Sequence, residues 1–259
     1  MLALLAAMKE EISDIRERML IEESLQESGC RAYMGKYRSK SIMLVQTGIG
    51  KERAEAATRL VLDRYPAVTL VSMGIAGALT DGLRAGDVFI CTELGCSVQR
   101  EQPGTAAECV YSDNGLVALA SQALTDKKIR FVRGKSISAL EVVIDPGSKQ
   151  SLGSIHEAGV VDMESFWVAR IAAERCVPFL GIRVISDTSQ DRIPDFGRFT
   201  RANGSLKAKE ACFYFAKHPA HFIYMMRMSR NVARAKGNLR LVLDSFIDRV
   251  SIEPMAAKH

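Results

Sequence analysis

Short apolar runs alternate with amphipathic stretches along the chain. Residues 2–7 are uninterruptedly apolar and predict a buried strand; residues 9–19 follow with Ile12, Ile15 and Met19 at helical spacing. Residues 31–37 and 41–47 predict two strands with a hairpin turn at Arg38-Ser39-Lys40. Residues 51–64 predict a helix that puts Ala54, Ala57, Val61 and Leu62 on one stripe. Residues 68–73, 87–92, 130–137, 159–162 and 179–186 predict further strands, and 116–124 and 164–176 further helices, the last stopped before Pro178. The tail predicts two helices, 206–217 and 220–248, broken near His218-Pro219. Several strands are apolar on both faces. That pattern predicts an α/β fold, a three-layer α/β/α sandwich with a central mixed sheet and a helical C-terminal extension. With no internal repeat and no linker-like stretch, residues 1–259 are expected to form a single domain, with 206–250 as the extension.

Composition narrows the class. The 259 residues are 47% hydrophobic and 25% charged, which sets aside disordered, collagen-like and disulfide-scaffold chains. The six cysteines show no C-x-x-C spacing, so zinc and thioredoxin-like chemistry lack support, and reduced thiols in a cytoplasmic protein are expected. The apolar N-terminus has no basic residues before it and Lys9-Glu10-Glu11 after it, which favours a first strand over a signal peptide. The longest uncharged stretch, 65–80, is interrupted by Pro66, Gly74 and Gly77 and falls short of the roughly 20 residues needed to span a bilayer, so no transmembrane helix is predicted. The net charge of +5 is too small to argue for nucleic acid. It is unevenly placed, since residues 192–259 hold 13 of the 35 basic residues and only 5 of the 30 acidic ones.

Candidate chemistry gathers at the carboxyl ends of the predicted strands, where open α/β folds bind ligands. After the first strand stands Glu11, which is either a first-turn helix acid or a general base turned into a cleft. Gly48-Ile49-Gly50 is either a tight turn or a backbone that approaches a ligand, and it matches neither a P-loop nor a full dinucleotide fingerprint. Gly74, Ile75, Ala76 and Gly77 follow the most apolar strand, and the small residues among them either pack backbone on backbone or open space for a ligand. Glu164 and Asp187 are either local caps or placed carboxylates, and burial would let Asp187 hold a proton as a general acid.

Gly48-Ile49-Gly50-Lys51, Gly74-x-Ala76-Gly77, Asp162-Met163-Glu164-Ser165 and Arg183-Val184-Ile185-Ser186-Asp187 together resemble the purine nucleoside phosphorylase/methylthioadenosine nucleosidase superfamily over about residues 2–190. Asp191-Arg192-Ile193-Pro194 and His218-Pro219 extend the likeness to its hopanoid-associated branch, whose members remove adenine from adenosylhopane. The resemblance implies cleavage of the N-glycosidic bond of a 5′-substituted adenosine, adenosylhopane-like or methylthioadenosine-like, by hydrolysis. Phosphorolysis of a purine nucleoside is the alternative, with phosphate as co-substrate, and no cofactor or metal is expected in either case. A non-catalytic nucleoside-binding protein is the alternative of another class. By resemblance, Asp187 protonates the purine N7, Glu164 accepts from the ribose hydroxyls, Met163 packs on the sugar and Glu11 activates a water. Val142 and Val143 fall where relatives line the base pocket, often with an aromatic side chain. Ile75 stands where nucleosidases commonly carry a small hydroxylated residue, which departs from their pattern. There is no phosphorylase-type arginine pair, which leaves Lys9, Arg84 and the Gly48–Gly50 turn as phosphate candidates.

Family resemblance also implies a homo-oligomer. The basic tail, with Lys207, Lys209, Arg227, Arg230, Arg234, Lys236 and Arg240, is open to three readings: a solvated face, a subunit contact, or peripheral attachment to an anionic membrane through Phe213, Phe215, Phe222, Tyr224, Met225 and Met226. A nucleic-acid partner is not expected.

Overall fold

The computed structural model describes residues 1–27, 29–65, 69–97, 108–193 and 219–250, with side chains in the last segment described from 230 onward. Among these, the strands are β1 (Leu2–Ala6), β2 (Leu20–Glu27), β3 (Cys30–Tyr37), β4 (Lys40–Gln46), β5 (Thr69–Ala78), β6 (Val88–Cys96), β7 (Val110–Tyr111), β8 (Phe131–Ser138), β9 (Val160–Asp162) and β10 (Phe179–Asp187). The helices are α1 (Lys9–Arg16), α2 (Lys51–Arg64), α3 (Asn114–Asp126), α4 (Pro146–His156), α5 (Ser165–Glu174) and α6 (Pro219–Arg249).

The strands form one mixed sheet in the order β10-β6-β8-β9-β5-β1-β4-β3-β2, with β7 on β6. β10 also pairs in parallel with β5, so β5, β10, β6, β8 and β9 close into a ring of pairings. The apolar run at the N-terminus is β1, which lies between β4 and β5 and is buried on both faces. Its alternate residues divide the core. Ala3 and Leu5 pack with α2 and α5, whereas Leu2, Leu4 and Ala6 pack with α1, α3 and α6. That is the predicted three-layer α/β arrangement, in which each strand face meets a helical layer and must be apolar. The β3–β4 hairpin closes with Tyr37 opposite Lys40, and both loop residues, Arg38 and Ser39, have positive φ, as a two-residue turn matched to strand twist requires.

The structure departs from the hydrophobic pattern in places that matter for the cleft. The segment Gly74–Ala78, which looks like a turn, continues β5, because its backbone pairs with β10 and then β9. β6 likewise runs on to Cys96 along β8. The predicted helix from residue 9 stops at Arg16, and β2 follows it as an exposed strand paired to β3 alone. α4 begins at a side-chain cap, the Asp145 carboxylate accepting from the Ser148 N–H, with Pro146 in the first turn.

The C-terminal half of α6 belongs to the core: Ala235, Leu239, Val242, Leu243, Phe246 and Ile247 are fully buried. Arg230 and Arg234 are exposed, while Lys236 and Arg240 are half-buried. The predicted helix 206–217, with Lys207, Lys209, Phe213 and Phe215, lies outside the described residues, as do the side chains of Phe222, Tyr224, Met225, Met226 and Arg227. Among the described residues, no helix is long and apolar enough to cross a membrane.

Candidate active site

A cleft of about 260 Å³ opens where β1, β5 and β10 end and where the loop after β9 and the loop before α4 meet them. Glu11, Glu164 and Asp187 all line it. So do Ile75, Ala76, Gly77, Val142, Val143 and Met163, so the residues singled out from the sequence converge on one space.

Each carboxylate is held by a different element. Glu11 is the third residue of α1 and turns back to accept the Met8 N–H at 2.9 Å. Its other oxygen accepts the Ile75 N–H at 3.0 Å, which ties α1 to β5. Gly74 makes room for this, since a Cβ there would stand 2.6 Å from Glu11 Oε1. Ile75 therefore serves through its main chain, whatever its side chain lacks in polarity.

Glu164 stands just before α5 and accepts the Gly50 N–H at 2.7 Å. Gly50 has φ +94° and ψ 170°, a backbone conformation open essentially to glycine alone. The Gly48–Gly50 turn thus aims an amide at a carboxylate of this chain. Beneath Glu164 lies a buried ion pair in which Arg183 Nε donates to Asp162 Oδ2 at 2.6 Å. Arg183 also donates to Ser72 Oγ and the Ile182 carbonyl, and Asp162 accepts from Ser138 Oγ and the Ser165 N–H. With most of their hydrogen-bonding capacity used, both charges can be fully buried.

Asp187 ends β10 and is buried. Its Oδ1 accepts from Ser186 Oγ and its Oδ2 from Lys149 Nζ, both at 2.5 Å. Lys149, on α4, is completely buried.

Asp187 faces a buried ammonium, Lys149 Nζ. Glu164 is the group that burial, reinforced by the charge of Asp162, pushes up to about 7, against the Gly50 N–H and Arg183. Burial also raises Glu11, opposed by the N–H groups of Met8 and Ile75 and by Arg183. Two carboxyl groups disposed to hold protons and one facing a cation give the cleft acids and bases in close company.

Of the phosphate candidates, only the Gly48–Gly50 turn reaches the cleft, and its Gly50 N–H is taken by Glu164. Lys9 and Arg84 are exposed and off the cleft, and none of the described lining residues is Lys or Arg. Among the described residues, no group of His, Cys, Asp or Glu is arranged to hold a metal ion. Lys149 escaped the sequence reading, because a lysine on a short polar helix carries no local sign of burial. Asp162 and Arg183 sat inside the quoted motifs without an assigned role.

The family model described as phosphorylase superfamily matches residues 1–212. A curated 5′-methylthioadenosine/S-adenosylhomocysteine nucleosidase of Bacillus cytotoxicus is 29% identical over 199 residues, covering 72% of this chain and 85% of that protein. The solved Neisseria meningitidis 5′-methylthioadenosine/S-adenosylhomocysteine nucleosidase, in complex with methylthio-immucillin-A, superposes with a TM-score of 0.77 at 22% identity over 96% of this chain and 99% of the other. The Helicobacter pylori futalosine hydrolase superposes with the same TM-score and identity over 96% and 97%.

Proposed function

The chain belongs to the phosphorylase superfamily, and on that premise we propose that it hydrolyses the N-glycosidic bond of a 5′-substituted adenosine and releases adenine. One observation carries the reading: Glu11, Glu164 and Asp187, supplied by three separate elements, line a single cleft whose other walls are largely apolar. Curated relatives named as nucleosidases support the same chemistry.

Cleavage proceeds through an oxocarbenium-like state, with positive charge growing on the ribose while electrons pass to the purine. Asp187 gives a proton to N7 of the leaving adenine, so the base departs neutral. Glu164, ionised, accepts from the ribose hydroxyls and stabilises the growing positive charge. Glu11 orients a water and takes its proton as the new C–O bond forms. Met163 packs against the sugar, and Val142 and Val143 flank the base. No step calls for a cofactor. Hydrolysis is favoured over phosphorolysis because no cationic side chain among the described lining residues faces the cleft to hold phosphate.

The 5′ group is read as hydrophobic. Met8, Ile49, Ile75 and Ile193 line the cleft, and Ile49 and Val142 are each 55% exposed. Such walls suit a methylthio group or, better, a long alkyl chain such as that of an adenosylhopane. A substrate of the latter kind resides in a bilayer, which makes peripheral membrane contact through the basic tail, in a homo-oligomeric enzyme, part of the proposal.

The test is adenine release from methylthioadenosine, adenosine and a 5′-alkyl adenosine, each with and without phosphate. Release is expected without phosphate, with kcat/KM highest for the alkyl substrate by about tenfold, the effect of one to two buried methylenes. Strict phosphate dependence would overturn hydrolysis, and no release from any of the three would overturn the enzyme reading.

A further inference from the structure

We propose that Lys149 is a positioning residue for the leaving-group acid, holding the Asp187 carboxyl toward the purine and stabilising the carboxylate left behind when its proton passes to N7. The inference rests on the nucleosidase reading above.

A lysine with no exposed side chain needs a partner for every ammonium proton, because an unpaired buried charge is strongly destabilising. Lys149 Nζ has three acceptors: Asp187 Oδ2, the Thr188 carbonyl at 3.0 Å and the Asp191 carbonyl at 2.8 Å. An ammonium has three donors, so the set is complete. The two carbonyls belong to the turn leaving β10, which is closed by the Thr188 N–H and Oγ1 donating to Asp191 Oδ2. Two residues on, the Ile193 N–H donates to the Ile144 carbonyl, and Ile193 lines the cleft. Lys149 therefore pins together α4, the acid and the strand exit that forms the cleft wall.

The charge adds to the geometry. In the proton transfer, the O–H bond of Asp187 breaks, an N7–H bond forms, and the glycosidic electron pair moves to the purine. The negative charge so created on Asp187 lies beside a fixed ammonium in a water-poor site. An interaction that strengthens as the charge develops lowers the barrier, whereas one of constant strength does not. Ser186 Oγ holds the second oxygen, so the carboxyl cannot swing freely. Because Lys149 acts through Asp187, its effect vanishes where Asp187 carries no acid.

The experiment compares Lys149→Met in the parent and in an Asp187→Asn background, by steady-state adenine release and thermal melting. In the parent, kcat is expected to fall about 100-fold, the scale of a misplaced reacting group, with KM within about threefold. In the Asp187→Asn background, the same change is expected to cost less than about threefold. Lys149→Ala is assayed with propylamine and with propanol. Saturable rescue by the amine alone is expected, and this arm decides if Lys149→Met does not fold. Equal losses in both backgrounds, rescue by the alcohol, or an undiminished kcat would overturn the role of Lys149 in an active enzyme. A parent that releases no adenine overturns the nucleosidase reading, and this proposal with it.

Discussion

Glu164 shows how much of the cleft's chemistry is set at the scale of single residues. Its neighbours are an amide from Gly50, which favours the charged form, and burial beside Asp162, which opposes it more strongly. The outcome is a carboxyl that titrates at about 7 in the folded protein, against 4.5 for the unperturbed group. Between those two pH values the folded chain binds a proton that the unfolded chain has lost, so stability falls as pH rises across the window and levels off above it. The displacement is worth roughly 3 kcal/mol at neutral pH. Melting the protein across that range should show the decline, and Glu164→Gln, which has no proton to lose, should make it shallower by about that amount and leave the share that Glu11, also raised by burial, contributes. Parallel curves for parent and variant would place the titration elsewhere. The same ionisation governs ribose binding under the proposed mechanism, so kcat/KM should rise with pH through about 7 in the parent.

At the scale of elements, the site depends on contacts between segments distant in sequence. Glu11 reaches from α1 to the Ile75 N–H of β5 across the space that Gly74 leaves open. Gly74→Ala would drive a methyl group into the carboxylate, and the Glu11 side chain could not yield without losing the Ile75 N–H contact. Expected are a fall in kcat of about 100-fold, with a smaller change in KM, and a destabilisation of about 1–3 kcal/mol, read by kinetics and denaturant melts. Unaltered kcat would show that Glu11 needs no fixed position. This scale also explains what the sequence revealed and what it hid. β1 and α2 were legible because one is an unbroken apolar run and the other has a clear apolar stripe, and β10 because apolar residues flank its single arginine. Asp187 was legible because it ends such an element, and Glu11 and Glu164 because each stands where a predicted strand gives way to a predicted helix. β2 was not: it reads Leu-Ile-Glu-Glu-Ser-Leu-Gln-Glu, is exposed along nearly its whole length, and owes its strand form to β3. α4 announced itself only through Asp145-Pro146, a cap and first-turn pair that hydrophobic periodicity ignores. Lys149 was hidden for a further reason, since its burial depends on Asp187, 38 residues away.

At the scale of the whole molecule, the question is whether the C-terminal helix is an appendage or part of the cooperative unit. By charge count it stands apart from the acidic body of the chain, yet its inner face is apolar and sealed. Phe246, fully buried, packs in the core layer shared by α1, α3 and α6. Tyr37 donates to Asp244, and Arg38 in the β3–β4 turn donates to Asp248, which fixes the helix end against the hairpin. The second pair is exposed and adds little by itself, so apolar packing carries the attachment. The chain's single tryptophan, Trp167, lies in the core layer on the opposite face of the sheet, against Phe166 at 4.9 Å. It reports on the body of the fold without touching α6. Phe246→Ala should cost about 3–5 kcal/mol, the range for emptying a buried phenyl site. If both core layers unfold together, the tryptophan fluorescence transition should move to lower denaturant by that full amount and coincide with loss of helical circular dichroism. An α6 that melted by itself would leave the Trp167 transition where it was, and would limit the cooperative unit to the residues before the tail.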